Sequence, residues 1–137
     1  MKKNLTNSMI LAAALAVSSA VVFAQTQMTA KVPFAFSTIG GNLSAGKYAI
    51  VTVSSNSPGV LRIRNEASGQ QLNLGVGVPT VPGSNDAPRL VFKCADDKCA
   101  LAEVWRGANG YKFATPRLRP SQNERIAVVY LDRKNAD

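Results

Sequence analysis

The stretch "FKCADDKCALAEVW", residues 92–105, holds both cysteines and the one tryptophan of the chain, and its reading decides the fold. Two sulfurs so spaced can bind metal, exchange electrons or staple a turn. A metal site needs about four N, S or O ligands, yet the chain has no histidine and no further cysteine. The redox motif C-x-x-C fails too, because "CADDKC" puts four residues between the sulfurs. Stapling remains. Residues 89–94 and 99–105 are runs of β-branched, aromatic and aliphatic side chains around the polar stretch 95–98. They predict a β-hairpin with a four-residue loop. In that hairpin Cys94 faces Cys99 within reach of a disulfide.

The same register predicts Phe92 opposite Leu101 and Leu90 opposite Glu103, with Trp105 on that face. Glu103 is then a carboxylate on an apolar face, either a pocket acid or a rim group paired with an arginine. The rim is the expected place, because a buried unpaired acid is costly.

Working outward, the same grammar of strand and turn repeats. "KVPFAFST" (31–38) reads as one strand with Val32, Phe34 and Phe36 on one face and Pro33 marking an edge or bulge. "KYAIVTV" (47–53) and "VLRIRN" (60–65) alternate, with Leu61 and Ile63 pointing one way and Arg62 and Arg64 the other. "QQLNLGV" (70–76) continues the alternation. Residues 75–88, rich in Gly and Pro, read as a long connection from one sheet to another or as a binding loop. "YKF" (111–113) reads as a short strand, and "ATPRLRPSQ" (114–122) as an exposed basic loop.

"RIAVVYL" (125–131) is apolar on both faces and reads as a buried strand, although Ser121 and Glu124 have the spacing of a helix capping box. The tail after Leu131 reads as frayed. The fold class is therefore all-β: a single-domain antiparallel sandwich or partly open barrel of about seven or eight short strands. Its expected core is Phe34, Phe36, Tyr48, Ile50, Leu61, Ile63, Phe92 and Leu101.

The address comes from the N-terminus. A basic start, "MKKN", precedes an apolar run from Met9 to Phe23, and Val22 and Ala24 stand at the −3 and −1 positions of a cleavage site. This is the pattern of a secretory signal peptide over 1–24, leaving 25–137 as one exported β-domain. The run is shorter than the roughly 20 apolar residues of a spanning helix, so no transmembrane anchor is expected. The expected location is periplasmic or extracellular, where disulfides persist. The chain carries sixteen basic and eight acidic side chains, net +8, and loss of Lys2 and Lys3 with the leader leaves +6. That balance favours an anionic partner.

The signal peptide, the F-x-F then L-x-A-G-x-Y pattern in "VPFAFSTIGGNLSAGKYAI", and the passage of "RLVFKC" into "CALAEVW" resemble a group of small secreted proteins of soil bacteria with no assigned activity. The resemblance spans 32–105. It implies a small exported bacterial β-domain and carries no functional residues.

Enzyme chemistry has little to stand on. Without histidine the Ser-His and Cys-His pairings are closed, and no G-x-S-x-G or phosphate cradle is present. A pair among Glu66, Glu103 and Glu124 acting on a glycan is the remaining catalytic route. No cofactor and no metal are expected. Two non-enzymatic classes are left. One is a binding module in which Arg62, Arg64, Arg117 and Arg119 contact acidic polysaccharide or an anionic lipid surface. The other is a structural or assembly protein acting through a sheet edge or apolar patch. Nucleic acid is disfavoured, since "YKF" makes a thin stacking platform. The sequon "NLS" at Asn42 matters only in a glycosylating host.

Overall fold

Strands that alternate at period two bury one face each, so two sheets must stack. The computed structural model, which describes residues 27–81, 87–117 and 123–134, shows that arrangement. Among the described residues the strands are β1 (Gln27–Val32), β2 (Phe36–Thr38), β3 (Gly41–Leu43), β4 (Gly46–Ser54), β5 (Ser57–Asn65) and β6 (Gln71–Val76), then β7 (Val78–Pro79), β8 (Arg89–Ala95), β9 (Lys98–Trp105), β10 (Gly110–Lys112), β11 (Glu124–Tyr130) and β12 (Asp132–Lys134). The first sheet has the order β12-β1-β4-β5-β6. The second has β11-β8-β9-β10-β7, with the β2–β3 hairpin attached to β9. Five of the twelve have three residues or fewer, too short to show a period in the sequence. The protein is all-β, as expected.

The chain crosses between sheets at both lateral sides. On one side β11 runs through Leu131 into β12, which pairs with β1 at Thr29↔Asp132 and beyond. The tail expected to fray therefore begins with a strand: its backbone completes the first sheet, a pairing its charged side chains do not advertise. On the other side β6 passes through Gly77 into β7, so the connection read at 75–88 does cross between sheets. A Cβ at Gly77 would sit 2.6 Å from Cβ of Tyr111 and 2.9 Å from Cζ of Phe113, so the crossing has room only for glycine.

Four aromatic rings cross the core. Phe92 meets Phe34 and Phe36 edge-on, with centroids 4.9 and 5.2 Å away, and Phe36 meets Tyr48 at 5.3 Å. Of the eight expected core residues, seven are buried and Phe34 is half-buried against the cluster. Pro33 does more than mark an edge: "KVPFAFST" splits there, with β1 in the first sheet and β2 in the second. Proline lacks the N–H that a continuing ladder needs.

The hairpin of β8 and β9 is present with Cys94 paired to Cys99 in a disulfide. Its loop is tighter than expected. Ala95 pairs with Lys98, leaving Asp96 and Asp97 as the turn, with Asp96 at a left-handed φ of 56°. The disulfide encloses a small loop, so opening it lowers stability by about 2 kcal/mol. Denaturant midpoints with and without reductant measure this, and a difference under about 0.5 kcal/mol contradicts it.

The register predicted for Glu103 is corrected by a bulge. Phe92 pairs with Leu101, but Val91 pairs with Glu103, so Ala102 is one residue extra on β9. Beyond the bulge the faces exchange. Val104 pairs with Leu90 in the core, while Glu103 and Trp105 move to the outer face beside Val91 and Arg89. The last long strand is corrected as well. Residues 124–130 are a strand, yet β11 is an edge whose outer side chains Ile126, Val128 and Tyr130 are 68%, 44% and 59% exposed, not buried. Ala127 and Val129 supply its inward face.

Candidate functional site

Of the expected cationic contacts, Arg62 and Arg64 lie on the first sheet and Arg117 beside the second. Arg62 and Arg64 alternate outward from β5, as their strand period demands, but both are engaged by neighbours. Arg62 Nε donates to Asn73 Oδ1 at 3.0 Å and Nη1 to Gln71 Oε1 at 3.2 Å, both across to β6. Arg64 lies 3.6 Å from Glu66. Arg62 still lines an open polar depression of about 470 Å³ with Gly40, Gln71, Leu72 and Asn73. Arg117 stands on the side of the second sheet. Arg119, Ser121, residues 82–86, the leader over 1–24 and its cleavage point at Ala24 lie outside the described residues.

Around Arg117 the fold assembles a better cation site than the sequence suggested. An open cleft of about 450 Å³ is lined by Lys93, Cys94 and Ala95 of β8, by Thr115, Pro116 and Arg117, and by Glu124, Arg125 and Ile126 of β11. Three cations and one carboxylate line it, brought together from the segments 93–95, 115–117 and 124–126. The pairing Ile126↔Lys93 brings Lys93 beside the first residues of strand β11, and Arg125 is fixed from the hairpin turn. Arg125 Nη1 donates to the main-chain oxygen of Asp96 at 2.8 Å, and Asn123 Nδ2 reaches Asp96 Oδ1 at 3.4 Å. One of the five N–H donors of Arg125 is thereby used, which orients the fork and leaves donors for a ligand. Lys93 and Arg117 make no hydrogen bond or ion pair among the described residues, and both are exposed.

Other charged groups have structural employment. Glu103 accepts a hydrogen bond from Trp105 Nε1 at 2.9 Å, and the Arg89 guanidinium lies 4.5 Å from the Trp105 ring centroid. Glu103 is thus half-buried on the outer face, paired with an indole rather than an arginine. Arg106 donates through Nη2 to Thr52 Oγ1, tying the β9–β10 turn to β4 of the other sheet. Burial holds its guanidinium below the ordinary arginine value, against an opposing pull from Tyr111. Arg133 Nη2 donates to the Arg106 main-chain oxygen at 3.0 Å, which pins the same corner.

Among the described residues no three of His, Cys, Asp and Glu come together as a metal site, and no helix is long and apolar enough to cross a membrane. Lys93 and Arg125 escaped the sequence reading because their convergence depends on the pairing of β8 with β11. The one local signal was their position flanking apolar strand residues. Comparison of the chain with protein-family models, curated proteins and solved structures gave no match.

Proposed function

We propose that this is an exported β-domain that binds an anionic polymer or surface through the cleft formed by Lys93, Arg117 and Arg125, and that it does not catalyse a reaction. The observation that supports this most is the convergence of three cations at one open cleft, with Arg125 oriented by the hairpin turn. Ammonium and guanidinium groups recognise carboxylate, phosphate and sulfate by charge-assisted hydrogen bonds. An open, exposed cleft suits repeated weak contacts along a chain or surface, and the net charge of +6 left once Lys2 and Lys3 go with the leader draws such ligands in. Glu124 gives the cleft one acceptor, suited to a ligand hydroxyl beside its anionic group. Acidic polysaccharide of the envelope or surroundings combines both features and is the preferred ligand class; an anionic lipid surface supplies the charge alone.

Export rests on the basic and apolar N-terminal segment read from the sequence and on the disulfide, which suits an oxidising space. The absence of histidine from the chain supports binding over catalysis.

Affinity for polygalacturonate and for phosphatidylglycerol vesicles, measured at low and at physiological salt, tests the reading. The triple variant Lys93→Gln, Arg117→Gln, Arg125→Gln is expected to bind about tenfold more weakly or worse. The pair Arg62→Gln, Arg64→Gln should change affinity less than about twofold, because both arginines are already engaged. Binding that vanishes by physiological salt, or that the triple variant retains in full, overturns the proposal.

A further inference from the structure

A sheet edge with unpaired main-chain groups is a template for another strand, and stable monomers blunt such edges with charge, proline, bulges or short length. Most edges here are blunted. β7 has two residues, one of them Pro79, which has no N–H to offer. β12 consists of Asp132, Arg133 and Lys134. β6 carries Gln71 and Asn73 and turns at Gly75, whose φ is 91°. β3 has three residues.

From Ile126 onward β11 lacks all of these guards. It has seven residues with no glycine or proline, its register with β8 runs without a bulge, and residues 126–130 carry no charge. Leu131 N donates to the Pro88 main-chain oxygen at 3.0 Å on the β8 side, so by alternation the main-chain groups of residues 126, 128 and 130 face away from β8. Among the described residues no strand pairs with them. The exposed outer side chains Ile126, Val128 and Tyr130 stand on those same residues.

We infer that β11 pairs antiparallel with β11 of a second copy about a two-fold axis at Ala127, joining two second sheets into one. Charge and occupancy select both occupant and register. With the axis at Ala127, Ile126 meets Val128 of the second copy, and Glu124 meets its Tyr130. Behind that tyrosine, Arg89 is its pairing partner on β8. An acid from each copy therefore approaches a hydroxyl and a cation of the other, and no like charges are opposed. Sliding the strands two residues one way would set Glu124 against Asp132, whose edge β1 already occupies. Sliding them the other way sets Glu124 against Val128 and moves Tyr130 past the end of the facing β11. Two-fold pairing also closes the assembly, since each copy uses the one unguarded edge among its described strands.

Sedimentation equilibrium of the exported form tests this. A concentration-dependent dimer is expected. It should persist at high salt, because main-chain pairing and apolar contact hold it and salt also screens the repulsion of two basic chains, whereas anion binding weakens with salt; the two proposals therefore fail separately. Val128→Lys should weaken the dimer about tenfold or more, while Ile39→Lys, on the β2–β3 turn and also exposed, should leave it unchanged. A protein monomeric to millimolar concentration overturns the inference, even if it takes up an added apolar peptide. So do an open polymer and a dimer that Val128→Lys leaves intact.

Discussion

Replacing Phe92 by Ala is expected to lower the free energy of unfolding by about 3 to 5 kcal/mol, the range for truncating a buried phenylalanine. Phe92 is fully buried and meets Phe34 and Phe36 edge-on, so its loss opens a cavity where the chain of aromatic rings joins the second sheet to the first. The site cannot easily collapse. Its neighbours Leu90 and Cys94 on β8 are held by the ladder to β9 and by the disulfide. Urea unfolding followed by circular dichroism measures the effect, and a loss under about 0.5 kcal/mol, typical of surface positions, would show that Phe92 is not a core residue.

Gly110→Ala is expected to cost about 1 to 3 kcal/mol through overpacking. A Cβ at Gly110 would lie 2.4 Å from Cδ2 of Trp105 and 2.7 Å from Cε2 and Cε3. The indole has nowhere to retreat, because Arg89 lies over its ring and Glu103 accepts from its Nε1. Tryptophan emission reports the outcome directly, since this is the one tryptophan of the chain. A destabilised protein with shifted emission is expected; an unchanged midpoint and spectrum would mean that the ring swings freely.

The core was legible where one face is buried and the other wet. Leu61 and Ile63 against Arg62 and Arg64 show this plainly, and the structure buries the first pair and leaves the second outward. The hairpin was legible because a polar turn separates two apolar runs of matched length. What escaped was non-local. Ala102 looks like any strand residue, yet as the extra residue of a bulge it reverses the faces of Glu103 and Val104. β12 escaped for a related reason: "DRK" has no apolar period, and only β1, about a hundred residues away in the chain, makes it a strand. β11 looked buried because both its faces are apolar, but composition cannot tell an interior strand from an unguarded edge.

The site divides in the same way. Arg117 was visible as a cation in a proline-bounded loop. Lys93 and Arg125 belong with it only because β8 and β11 pair and because Arg125 bonds to the turn at Asp96. The binding account therefore stands on a convergence that can be located residue by residue. Amide chemical shifts of isotope-labelled protein, titrated with polygalacturonate at physiological salt, locate it most directly. The account predicts the largest changes at Lys93, Thr115, Arg117 and Glu124 to Ile126, with Arg62 and Arg64 little affected. Changes centred on Arg62 and Arg64, or none at saturating ligand, would contradict it.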